Sequence, residues 1–97
     1  MRGILLSRRA ERDLRRIGSG PDLTRIREAL EGLAGGTTNL DVKPLTGVAP
    51  WHRLRVGDYR VLYRAVDPGE AADSDARWLV ARIVHRRDLE RAVSTLT

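Results

Sequence analysis

A chain of 97 residues has room for one hydrophobic core, and the absence of cysteine excludes disulfide staples, thiolate metal sites and thiol nucleophiles together. Lysines and arginines number 18 against 13 aspartates and glutamates, a formal charge of +5 that suits a polyanionic partner, because clustered cations release counterions from phosphate when they bind it. The whole chain, residues 1–97, reads as one domain in a reducing cytoplasm, and its N-terminal apolar run, Ile4, Leu5 and Leu6, is too short for a signal peptide or a membrane span.

Gly3 to Leu6 reads as a short strand, after which Ser7 is placed to cap a helix whose apolar positions Ala10, Leu14 and Ile17 recur at spacings of four and three, with charges on its other face. Gly18-Ser19-Gly20-Pro21 breaks that helix. A second helix from about Asp22 carries Leu23, Ile26, Leu30 and Leu33 on one stripe and stops at Gly35-Gly36, completing a helical hairpin. Thr37 to Pro50 has no sustained period and contains Pro44, Gly47 and Pro50, so it reads as a loop; Lys43, the sole lysine, lies in it. Trp51 to Val56 and Tyr59 to Val66 then form antiparallel strands about a Gly57-Asp58 turn. A loop of small and acidic residues from Asp67 to about Ala76 precedes a third strand, Trp78 to Val84, and Arg87 to Leu96 reads as a short helix. The fold class is therefore α+β: an N-terminal strand, a helical hairpin, an antiparallel strand meander and a short C-terminal helix, with the helices expected on one face of the sheet.

Alternation along the strands puts Trp51, Arg53 and Arg55 on one face and His52, Leu54 and Val56 on the other. In the next strand Tyr59, Val61 and Tyr63 form the more apolar face, so both tyrosines belong to the core. Arg60 falls on the opposite face, near Arg53 and Arg55 if the two-residue turn sets the register. Guanidinium groups that close together repel one another unless an anion joins them, and their planar forks suit phosphate oxygens. His85-Arg86-Arg87 forms a second basic cluster where the third strand ends. The acidic residues between Asp67 and Asp75 are a possible internal shield for this face. The chain lacks a phosphate-binding Gly-Lys-Ser/Thr loop, a His/Cys metal spacing and a nucleophile elbow, so no cofactor and no metal are assigned; His52 and His85 are too few for a metal site.

The run from Trp51 to Arg64, WHRLRVGDYRVLYR, followed by Ile83-Val84-His85-Arg86-Arg87-Asp88, resembles the signature of the RelE/ParE toxin superfamily. Lys43-Pro44-Leu45-Thr46-Gly47 resembles the Leu-x-Gly segment of the same family, and the likeness covers essentially the whole chain. The resemblance implies the toxin half of a type II toxin-antitoxin pair, neutralised by an antitoxin with an acidic, partly disordered segment. Its RelE branch implies a ribosome-dependent endoribonuclease that cuts messenger RNA; its ParE branch implies a DNA gyrase inhibitor without nuclease activity. The arginine of Gly57-Asp58-Tyr59-Arg60 leans toward RelE. On that likeness Arg60 binds phosphate, Arg87 stabilises the transition state, and Arg53 stands where a basic catalytic residue is expected; Arg55, Arg86 and Lys43 are candidate RNA contacts. The chain departs from the pattern in two places: Trp51 stands where a catalytic lysine is found, and Leu89-Glu90 occupies the stretch of an expected tyrosine. That leaves His85 or Glu90 as the candidate acid and base.

Overall fold

A computed structural model of the chain describes residues 2–70 and 75–96. Ile4–Leu6 form strand β1, and the hydroxyl of Ser7 then accepts the N–H of Ala10 at 3.0 Å, starting helix α1, Arg8–Ile17. Gly18 and Gly20 take positive φ angles that other residues rarely adopt, and Pro21 opens α2, Pro21–Ala34, at the position where a missing N–H costs nothing. The chain continues through β2 (Val42–Pro44), β3 (His52–Val56), β4 (Tyr59–Ala65) and β5 (Trp78–His85), then a single 3₁₀ turn, Arg86–Asp88, and helix α3, Leu89–Ser94. The sheet order is β1-β5-β4-β3-β2, with β1 parallel to β5 and every other pair antiparallel. This is the α+β arrangement expected from the sequence. No helix among the described residues is long and apolar enough to cross a membrane.

The helical hairpin covers one face of the sheet. Ile26, Leu30 and Leu33 of α2 and Ala10 of α1 pack on Leu54, Val61, Tyr63, Val80 and Ile83, with Tyr59 at the margin. Both tyrosines thus lie where alternation put them. The expectation that all helices share a face is corrected by α3, which buries Ala92 against Leu62 and Val84 on the other face, joined by Leu45, Leu89, Val93 and Leu96. Positions 89, 92, 93 and 96 form one helical stripe, and β4 presents Leu62 between Val61 and Tyr63, so one apolar side chain points to each core. Periodicity shows that α3 has an apolar side; it does not say which face of the sheet receives it.

The segment read as one loop, Thr37 to Pro50, contains β2. Ladder bonds run from Arg55 N–H to the Asp41 carbonyl and from Leu45 N–H to the Trp51 carbonyl, both at 2.9 Å, so the odd-numbered residues face β3. Pro44 therefore turns its nitrogen to the open edge of the sheet, which is where a strand tolerates proline. A strand held by main-chain pairing at an edge needs no alternating side chains and leaves no period to read.

Beyond Leu6, β5 runs past the end of β1 and its outer edge would lack partners. Ser7 and Asp13 satisfy it. Ser7 donates its N–H to the Val80 carbonyl at 2.9 Å and its hydroxyl to the Ala81 carbonyl at 2.7 Å. Asp13, only 7% exposed, accepts the Ile83 N–H at 2.9 Å and Arg82 Nε at 2.9 Å on the same oxygen, with Arg82 Nη2 at 3.3 Å from the other. Between those contacts Ala81 is the extra residue of a β-bulge, since Leu62 pairs with Arg82 and Tyr63 with Val80. The bulge lets Val80 and Ile83, three residues apart, enter the same core. Helical spacing puts the charges of α1 on its outer face; Asp13 departs from it as the buried acceptor that closes the sheet edge.

Candidate functional site

The hairpin of β3 and β4 turns through Gly57-Asp58 with Gly57 at φ +58° and no positive φ at Asp58, a combination that fits a type II′ turn. That two-residue loop sets Arg55 directly opposite Arg60 and Arg53 opposite Leu62, while β2 sets Lys43 opposite Arg53. Residues opposed across a ladder point the same way, so Lys43, Arg53, Arg55 and Arg60 share the face away from the helical hairpin. Arg86 joins them from the end of β5, its N–H bonded to the Asp58 carbonyl at 2.7 Å and its guanidinium 3.7 Å from the Asp58 carboxylate.

Among the described residues Arg60 is held without a carboxylate. Its Nη1 donates to the carbonyls of Gly57 at 2.9 Å and Tyr59 at 3.0 Å, which fixes the guanidinium on the turn. Partial burial, then the charges of Arg55, Arg53 and Arg86, push its pKa below the ordinary arginine value, with Asp41 offsetting part of the shift. The site is therefore a pre-positioned cation under repulsion from three neighbours, a place where an arriving anion gains more than it would at an isolated arginine.

The described part of the acidic loop after β4 is engaged elsewhere. Its Glu70 takes Arg64 in a two-pronged ion pair at 2.7 and 2.8 Å, Asp67 lies 3.6 Å from the same guanidinium, and Asp75 pairs with Arg2 at 3.3 Å. Residues 71–74 of that loop lie outside the described residues. Arg64 also lies over the Trp51 ring, 5.4 Å from its centroid, so this arginine is committed to structure. The Arg64 bond and the Asp67 N–H hold the Glu70 carboxyl down to about 2 from an ordinary 4.5. A carboxyl lowered by folding contributes stability above its unfolded value that is lost as pH falls toward the folded one. Wild-type melting temperature should therefore fall between about pH 4.5 and pH 2, and Glu70→Gln should flatten that part of the curve; identical acid profiles would remove this ion pair from the account.

The other sequence candidates are spread out. His85 is opposed to Tyr59, on the hairpin side; its ring stands edge-on to that tyrosine at 5.7 Å, and its Nδ1 accepts the Arg87 N–H at 3.2 Å as the cap of the 3₁₀ turn. It also lines a cleft of about 230 Å³ with Asp13, Arg16, Tyr59, Arg82 and Arg91. Arg87 is exposed and makes no ion pair among the described residues, and Glu90 is exposed on α3. His52 stacks on Tyr63 at 5.6 Å and bonds the Pro50 carbonyl through Nδ1. The structure thus gathers Lys43, Arg53, Arg55, Arg60 and Arg86 and does not bring His85 to them. Two residues of the site went unread in the sequence, Asp41 and Asp58. Asp58 had a signal in its place in the turn; Asp41 had none, because the strand that presents it has no period.

Comparison with known proteins agrees with this architecture. Residues 4–90 match the family described as ParE toxin of type II toxin-antitoxin system, parDE. Among curated proteins no sequence match was found. The RelB-RelE antitoxin-toxin complex from Methanococcus jannaschii contains a chain similar to this one with a TM-score of 0.68 and 23% identity, over 90% of this chain and 95% of that one. The E. coli DinJ-YafQ complex is similar with a TM-score of 0.68 at 17% identity, over 92% and 98% of the two chains. YafQ from E. coli strain BL21(DE3) gives 0.64 at 17% identity over the same shares. With the family match spanning all five strands and the helical hairpin, the chain belongs to the RelE/ParE superfamily and is a toxin of a type II toxin-antitoxin system.

Proposed function

We propose that this toxin is a ribosome-dependent messenger RNA endonuclease whose face of Arg53, Arg55 and Arg60 holds RNA phosphate. The observation that carries the reading is Arg60 itself: a fixed guanidinium, crowded by Arg55, Arg53 and Arg86, without a carboxylate of its own among the described residues. Cleavage by the 2′ hydroxyl requires removal of its proton, stabilisation of charge on the phosphorane and protonation of the leaving oxygen. Arginines supply the second need through paired N–H groups aimed at phosphate oxygens. Arg87, exposed, without an ion pair among the described residues and adjacent to Arg86, acts at the transition state in this reading, and Arg86 and Lys43 extend the contact along the RNA backbone. Guanidinium groups are poor bases, and of the two candidates for the proton transfers His85 is turned to the hairpin side, which leaves Glu90, exposed on α3. The antitoxin partner meets the basic face with an acidic segment that folds as it binds.

The gyrase-inhibitor reading has two supports: residues 4–90 match the family described as ParE toxin, and among the described residues no imidazole stands at Arg60 and its nearest acid, Asp41, is held by Arg53. A reconstituted translation reaction separates the two. New messenger ends on translated message, none without ribosomes, are the expected result. Intact message together with blocked supercoiling in a gyrase assay would replace the nuclease reading with the inhibitor one.

A further inference from the structure

The face that carries the arginines already contains an anion. Asp41 extends β2 by one residue, its carbonyl taking the Arg55 N–H at 2.9 Å, so positions 41, 55 and 60 form one row across the sheet with Lys43 and Arg53 in the next. One carboxylate oxygen of Asp41 lies 3.0 Å from Arg53 Nη1, which also donates to the Asp41 carbonyl at 3.1 Å; the other oxygen lies 3.9 Å from Arg55 Nη1. Two oxygens sharing a negative charge between two guanidinium groups reproduce what the non-bridging oxygens of a phosphodiester offer the same pair. The Asp41 side chain is half exposed, whereas that of Arg53 is 16% exposed. The anion can therefore swing away while the arginine stays in place.

Resting on the reading of this face as a phosphate site, we infer that Asp41 is its built-in occupant: it holds Arg53 and Arg55 in position while the site is empty and is displaced from them by the incoming phosphate. Arg60 lies outside this pairing and meets the phosphate first, since its own partners are main-chain carbonyls that remain bonded throughout. Displacement confines tight binding to ligands that engage Arg53 and Arg55 better than a tethered carboxylate does. Successive RNA phosphates, or the several charges of pyrophosphate, meet that condition by engaging Arg60 together with Arg53 and Arg55, and a lone acidic side chain meets it poorly. Among the described residues the carboxylates of the loop after β4 do not duplicate the role, because Asp67 and Glu70 are held by Arg64 and Asp75 by Arg2.

The test measures binding of two probes, inorganic pyrophosphate and a short 2′-O-methyl RNA that cannot be cut, to the full chain and to Asp41→Asn, Asp41→Ala and Arg60→Ala, with thermal melts as the check on folding. Both Asp41 variants should bind each probe roughly three- to tenfold more tightly. The log-log salt dependence of RNA binding should steepen by about 0.7, one additional phosphate neutralised on a single strand. Unchanged affinity overturns the inference, and so does weaker binding by folded Asp41 variants, which would make Asp41 a positioning residue for the arginines. Tighter pyrophosphate binding without any Arg60-dependent RNA binding would sustain Asp41 as the occupant while rejecting RNA as the ligand. Failure of wild type and both Asp41 variants to bind either probe would reject both.

Discussion

Arg60→Ala is expected to abolish toxicity and messenger cleavage together, with a loss in rate of about 100- to 1,000-fold, the usual effect of removing one fixed donor from a developing oxyanion. The protein should remain folded. Among the described residues Arg60 bonds only to carbonyls at its own turn, and its lowered pKa, from partial burial and then from Arg55, Arg53 and Arg86, means that the folded state disfavours this charge, so deleting it relieves that cost. Arg60→Lys should recover part of the binding and little of the rate, because an ammonium keeps the charge but cannot hold two carbonyls and present a planar fork at once. Arg87→Ala provides the contrast: with no ion pair to lose among the described residues, it should lower the cleavage rate while leaving RNA affinity nearly unchanged. Toxicity in cells and mapped messenger ends, each beside a melting curve, are the measurements. Full activity in folded Arg60→Ala would remove the arginine face from the mechanism.

The largest effect on stability is expected at Asp13. Asp13→Ala leaves Arg82 without its carboxylate and the Ile83 N–H without an acceptor at a buried sheet edge, and breaking a pair of this kind by removing one partner costs about 3–5 kcal/mol. A domain of this size has about 5–15 kcal/mol in total, so the variant should be partly unfolded at moderate temperature. Asp13→Asn keeps an acceptor for Ile83 but meets Arg82 with a neutral amide and should fall between. Adding Arg82→Ala to Asp13→Ala should return part of the loss, since the stranded cation is removed while the orphaned N–H remains. Urea denaturation midpoints decide this. A shift of Asp13→Ala within about 1 kcal/mol of wild type would mean that water replaces the carboxylate freely at this edge.

These two residues show what can be read locally and what cannot. Arg60's position was legible because a two-residue Gly57-Asp58 turn fixes the register, and register fixes which side chains face each other. The same local rules gave the Ser7 cap, the α2 stripe of Ile26, Leu30 and Leu33, and the placement of Tyr63 in the core. Asp13 looked like one more charge on a polar helix face, since its partners lie 69 and 70 positions away.

By itself the sequence determined the order and type of the elements other than β2, the β3–β4 hairpin and the face on which Arg53, Arg55 and Arg60 meet. Each of these follows from neighbours in the chain, through helical spacing, strand alternation or turn chemistry. Only the tertiary structure decided that α3 covers the second face, that Ala81 bulges, that β2 exists at the edge and brings Asp41 to the arginines, and that His85 turns toward the hairpin instead of toward Arg60. Those features depend on main-chain pairing and ion contacts between segments far apart in sequence. Such contacts impose no period on the residues that make them.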